Sequence, residues 1–125
     1  KISDFAAWNT EGDQSELLFQ GNKVILLSSN LTKMSSTNLD QLTQLFSSLQ
    51  KAPVELIFMA AATQEEIDAL IQKMGWPVQG LQADATVVKT IMRANPGLML
   101  LKDGVVVGKY HHNNTPEALE VLELF

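Results

Sequence analysis

The chain has 125 residues, 46% apolar and 18% charged, which is the size and composition of one globular domain with its own core. Its formal net charge of −5, without clustered Lys and Arg, argues against nucleic acid as a partner and against a basic membrane-surface patch. There is no cysteine, which removes disulfides and thiol chemistry and leaves the redox compartment undecided. No apolar run approaches the ~20 residues that span a bilayer and none of these residues reads as a signal peptide, so no direct membrane insertion by this fragment is expected. The chain opens at Lys1 rather than Met, so a processed form or an excised piece is expected, with any targeting or anchoring segment outside these residues.

Residues 1–22 read as an N-terminal extension or hairpin, and residues 23–125 as the core of a single domain. Residues 23–28 (KVILLS) form a short continuous apolar run, the pattern of a strand buried on both faces. Over residues 37–49, Leu39, Leu42, Leu45, Phe46 and Leu49 recur at helical spacing. After Pro53, residues 54–61 (VELIFMAA) read as a second buried strand. Thr63 followed by Glu66 is a capping box that opens a helix with Ile67, Leu70, Ile71 and Met74 inward, and Gly75 stops it. Residues 78–82 read as a short third strand. Asp84 can cap a helix running to about Arg93, because Pro96 disfavours helical geometry at Asn95.

The segment from Asn95 to Lys109 (NPGLMLLKDGVVVGK) is the strongest local signal. An Asp-Gly pair between two apolar runs is a hairpin turn, since tight two-residue turns need positive φ. Thr115-Pro116-Glu117 then places a cap and an N1 proline at the start of a last helix. The order β-α-β-α-β-α-β-β-α implies parallel strands joined by right-handed crossovers, with an antiparallel hairpin at the edge. The expected fold is an α/β, three-layer α/β/α sandwich with a mixed central sheet, a C-terminal β-hairpin and a final helix.

This chain resembles the thioredoxin-like superfamily, particularly the branch of peroxiredoxins and TlpA-like thiol-disulfide proteins. Ile2-Ser3-Asp4-Phe5, Glu11-Gly12, Leu17 and Gly21-Asn22-Lys23-Val24-Ile25-Leu26-Leu27 are similar to that branch's opening "P-D-F … D-G … L … G-K-V-V-L-L" pattern. Asn95-Pro96 matches its cis-proline step, and Lys102-Asp103-Gly104 matches its hairpin. The span from Arg93 to Gly104 (RANPGLMLLKDG) also resembles the thioredoxin-like domain attached to a DoxX-like membrane segment in some bacterial proteins. That resemblance implies the soluble part of a bacterial membrane-associated protein, facing periplasm or cytoplasm. Redox-active relatives carry Cys-x-x-Cys after the first core strand, and here those positions fall near Lys33 and Ser36. A serine cannot replace a thiolate in disulfide exchange, so dithiol and peroxidase activity by this chain are not expected.

Each candidate site has a plainer structural explanation beside it. Ser35, Ser36 and Thr37 precede a helix, where backbone N–H groups could hold an anion, but Ser and Thr are also ordinary N-caps. A serine hydrolase would need a base near Ser36, and no Gly-x-Ser-x-Gly elbow exists. His111-His112 would chelate one ion poorly, since adjacent strand residues point apart, and a solvated strand end is expected. Glu65, Glu66 and Asp68 complement a helix dipole without a catalytic role. Trp76 is expected to pack over the sheet edge, while Trp8 fits an interface or packing equally well.

The binding surface expected from the resemblance is a cleft of Lys33, Met34, Ser35, Ser36, Thr37, Asn95, Pro96 and Gly97. Its occupant would be a protein or peptide segment, including a membrane domain of the same polypeptide, taken up by strand addition on free backbone groups beside the proline. No cofactor and no metal are expected. The alternative is a non-thiol enzyme or small-ligand binder using the same cleft, followed by a redox protein whose thiol comes from a partner.

Overall fold

The computed structural model describes residues 5–125, so Ile2-Ser3-Asp4 of the opening pattern lie outside the described residues. The chain enters through a small hairpin, β1 (Trp8–Asn9) and β2 (Gly12–Asp13), and a 3-10 turn at Ser15–Phe19. The core then runs β3 (Asn22–Ser28), α1 (Leu39–Leu49), β4 (Glu55–Ala60), α2 (Gln64–Met74), β5 (Gln79–Gln82) and α3 (Ala85–Ile91). It closes with β6 (Gly97–Lys102), β7 (Val105–His111) and α4 (Ala118–Leu124).

The strands make one sheet in the order β2-β1-β5-β4-β3-β6-β7. β3, β4 and β5 are parallel, while β6, β7 and the β1–β2 hairpin are antiparallel to their neighbours. Apolar residues are needed on both faces of β3, because helices cover both. Val24 and Leu26 join the core beneath α1, α2 and α4, whereas Ile25 and Leu27 join the core beneath α3 and the Ser15–Phe19 turn. This is the three-layer sandwich expected from the element order. The Asp103-Gly104 turn has positive φ at both central residues, 49° and 82°, as a two-residue hairpin of this twist requires.

Three local expectations are corrected. The first core helix begins at Leu39, two residues late, because Asn38 adopts a left-handed φ of 63°. Ser35, Ser36 and Thr37 are therefore not its caps. The third helix stops at Ile91 rather than near Arg93, since Met92 is extended (φ −139°) and folds against Gly97, where no Cβ would fit. The last helix begins at Ala118 with Glu117 at its N-cap, and the Thr115 hydroxyl instead donates to the His112 carbonyl at 3.2 Å.

Trp76 is also placed differently. Gly75 ends α2 at φ 68° and turns the chain back, so that the indole sits edge-on to Phe46 and Phe58, each at 5.5 Å between ring centroids. Its Nε1 donates to Thr43 Oγ1 at 2.9 Å. Trp76 thus fills the layer between α1 and β4 instead of lying over the sheet edge. Edge-to-face pairs of this kind contribute about 0.5–1.5 kcal/mol each beyond the area they bury.

Candidate functional site

The carboxyl ends of the parallel strands and the amino end of β6 meet at one edge of the sheet, where Leu27 pairs with Gly97. Ligands in open α/β sheets collect at this edge, because the loops leaving the strands converge there. Two loops meet at it, residues 29–38 after β3 and residues 92–96 before β6. The Asn95-Pro96 peptide between them is cis.

The β3 loop is ordered by side-chain hydrogen bonds. Asn30 Oδ1 accepts from the Thr32 and Lys33 N–H groups at 3.0 and 3.3 Å and closes a 3-10 turn at Leu31–Lys33. Ser35 Oγ accepts from the Thr37 N–H at 3.1 Å. Leu31 and Met34 pack on the core, so the loop exposes Lys33, Ser36 and Thr37.

Asn95 ties the two loops together. Its Oδ1 accepts from the buried Ser28 hydroxyl at 2.7 Å, its Nδ2 donates to the Asn30 carbonyl at 2.8 Å, and its own carbonyl accepts from the Ser35 N–H at 2.8 Å. His112 closes the other side. Its Nδ1 lies 3.1 Å from the Pro96 carbonyl, which can only accept, so this nitrogen carries the proton. The His112 carbonyl in turn accepts from Asn38 Nδ2 at 3.1 Å, which holds the start of α1 against the end of β7.

The structure joins the loop of Lys33 to Thr37 to the Asn95 to Gly97 segment through the Ser35 N–H and the Asn95 carbonyl. The carbonyls of Asn95 and Pro96 each already accept one hydrogen bond, from the Ser35 N–H and from His112 Nδ1. His111 and His112 do not splay apart as a strand end would. The chain leaves β7 after His111, and the two rings stack at 4.0 Å between centroids. His111 Nδ1 accepts from the Asn113 N–H at 3.0 Å, and so caps the turn His112–Asn114. Sequence reasoning missed Ser28, Asn30, Asn38 and His112 as members of this site. The one signal for the first three is an Asn or Ser at a strand or helix boundary, whose partners cannot be read locally, and His112 has no such signal.

The other candidates have structural explanations. Thr63 and Glu66 form the reciprocal cap expected: Glu66 N–H donates to Thr63 Oγ1 at 3.2 Å, and Glu66 Oε1 accepts from the Thr63 N–H at 3.0 Å. The backbone bond from Thr63, then the bond from its hydroxyl, hold the Glu66 carboxyl below its usual value. Trp8 is half-buried on β1, opposite Gln82 of β5. A separate pocket of about 650 Å³ lies at the amino ends of β3 and β4, far from the cleft. The buried Lys23 ammonium at its edge is satisfied by Glu55 at 2.9 Å across the parallel pair. Asp13 on its wall has its carboxyl held below the usual value, first by the Ser15 hydroxyl and then by the Ser15 N–H. No group of three or more His, Asp or Glu able to hold a metal occurs among the described residues. No helix among them is long and apolar enough to cross a membrane.

No family model matches the sequence, and no curated protein matches it. Solved structures do match, over nearly the whole chain. A thiol-disulfide oxidoreductase from Bacteroides fragilis is 15% identical, with a TM-score of 0.69 and 100% of both chains covered. A thioredoxin-like protein from Aeropyrum pernix is 12% identical, with a TM-score of 0.67 over 96% of this chain and 86% of that one. A DsbF homologue from Corynebacterium diphtheriae is 8% identical, with a TM-score of 0.64 over 96% and 82%. At such identities the likeness is one of architecture, and it agrees with the sheet order, the helix layers and the hairpin described above: this cysteine-less chain has a thioredoxin-like fold.

Proposed function

We propose that this chain is a redox-inactive thioredoxin-like domain that acts as a binding or scaffolding module. We further propose that it is the soluble part of a larger bacterial membrane protein of the DoxX-like kind, on the strength of the resemblance of residues 93–104. Its contact surface is the cleft of Lys33 to Thr37 and Asn95 to Gly97, and its occupant is an extended peptide segment or a neighbouring domain.

One observation carries this reading. The loop that holds the thiols in redox-active relatives contains no cysteine, yet it is bonded directly to the proline step through Ser35 N–H and the Asn95 carbonyl. An incoming strand reaches that carbonyl by displacing Ser35, which exchanges one hydrogen bond for another at little net cost. Recognition by strand addition needs no thiol, so the surface outlasts the loss of redox chemistry.

The test compares amide spectra of the isolated domain with those of the same domain inside its complete natural polypeptide. The amides of Met34, Ser36 and Gly97 should shift, and the Ser35 amide should lose protection from solvent exchange. If these amides stay still while another surface responds, the cleft is a relic of the fold and the reading is wrong. The purified domain should also leave insulin unreduced and peroxide unconsumed above background; turnover of either would overturn the redox-inactive assignment.

A further inference from the structure

The surface formed by α1 and α4 lies apart from the cleft and has a chemistry of its own. Between the two helices runs a groove of about 380 Å³. Its floor is apolar, made by Leu45, Pro116 and Ala118, and its α1 wall is neutral, made by Gln41 and Gln44. Leu119 stands on the opposite lip with 70% of its surface exposed, and Leu122 and Leu124 are 37% and 40% exposed on the same short helix. A helix that buries Val121 while turning three leucines to solvent carries more apolar surface than its own fold uses.

The charge around this surface has one sign. Glu117, Glu120 and Glu123 lie along α4 beside Leu119, and Asp40 opens α1. Neither helix contains a Lys or Arg. We propose that this groove docks a basic amphipathic segment of a partner protein, with an apolar side chain between Leu119 and Leu45 and Lys or Arg against the glutamates. Apolar anchors in a groove with opposite charge at the rim are how helical segments are selected. The same charge argues against a second copy of this chain, because a two-fold interface would set each glutamate row against its mate. It also argues against an anionic lipid surface.

A synthetic helical peptide with leucines at i and i+4 flanked by lysines serves as the probe, and the same peptide with glutamates in place of lysines is its control. Titrated into labelled protein, the basic peptide should shift Gln44, Ser48, Ala118 and Leu119 amides and leave Met34, Ser36 and Gly97 still. Leu119→Ser, at an exposed position that leaves the fold intact, should weaken binding by at least about tenfold. The triple variant Glu117→Gln, Glu120→Gln, Glu123→Gln should flatten its salt dependence. The proposal is overturned if the acidic control binds equally well or if neither peptide moves these amides. It is equally overturned if the same amides respond to dilution of the protein alone, or to anionic vesicles but not to the basic peptide.

Discussion

Two helix starts in this molecule are built in opposite ways. The first residues of α2 are held by neighbours in sequence: Thr63 and Glu66 cap each other, and both bonds close within three residues. The first residues of α1 are held from elsewhere. Asn38 makes no side-chain cap to its own helix and spends its amide on the His112 carbonyl, 74 positions away. The loop before it hangs on Asn95, whose bonds to Ser28 and Asn30 span 67 and 65 positions. The start of α2 is marked by bonds local in sequence, while α1 is positioned by the loop and hairpin around it. Both starts lie at the carboxyl ends of parallel strands, and the one beside the candidate site is the one whose geometry depends on long-range bonds.

The largest expected effect breaks the second arrangement. Asn95→Ala leaves the buried Ser28 hydroxyl without a partner and takes one of two hydrogen bonds from the Asn30 carbonyl, which keeps the Lys33 N–H at 3.3 Å, and the loss should cost roughly 1–3 kcal/mol. Equilibrium denaturation should show this loss, and amide shifts should spread from residues 28–36 into the start of α1. Asn95→Asp sharpens the result, since it keeps an acceptor for Ser28 but sets a carboxylate oxygen against the Asn30 carbonyl, so that the disturbance should centre on residues 30–33 rather than on Ser28. If Asn95→Ala unfolds at the wild-type denaturant concentration, the loop is held by something other than this side chain.

The same contrast explains what could be read in advance. The capping box, the Gly75 stop, the Asp-Gly turn and the apolar strand runs are patterns within a few residues, and each was legible. The late start of α1 was not, because Ser35, Ser36 and Thr37 look like caps and the left-handed Asn38 has no local signature. His111-His112 looked like a free strand end because nothing nearby shows that the second imidazole reaches the Pro96 carbonyl, 16 positions back. The packing of Trp76 has no local signature, because its partners Phe46, Phe58 and Thr43 lie on other elements. Cleft membership followed from the resemblance, but the occupancy of its carbonyls depended on side-chain bonds that no spacing encodes.

A smaller effect probes the self-capped helix. Thr63→Ala removes the acceptor for the Glu66 N–H and should cost about 1 kcal/mol. The consequence should be confined to fraying of the first turn of α2, with no shift at Asn38 or Asn95. The Glu66 carboxyl, held low mainly by the Thr63 backbone, contributes stability at neutral pH that is lost as pH falls through its lowered value. Glu66→Gln should therefore flatten part of the acid limb of the stability curve. Disturbance of the cleft in either variant would show that the two helix starts are coupled after all.

The smallest effect lies where the long-range end meets α4. Tyr110 of β7 is the chain's single tyrosine, and its phenol is raised above the usual 10.0. Burial is the main cause, followed by a hydrogen bond to the Glu120 carboxylate and the negative charge of that group. The fold favours the protonated phenol, so its contribution to stability is complete below the unfolded value near 10 and fades as pH rises through the higher folded one. Glu120→Gln removes the charge and leaves the burial. The phenolate transition, read by ultraviolet absorbance, should move down and stay above the ordinary tyrosine value. Desolvation and the carboxylate are thereby separated at one residue. An unmoved midpoint would show that Glu120 does not act on the phenol and that burial alone raises it.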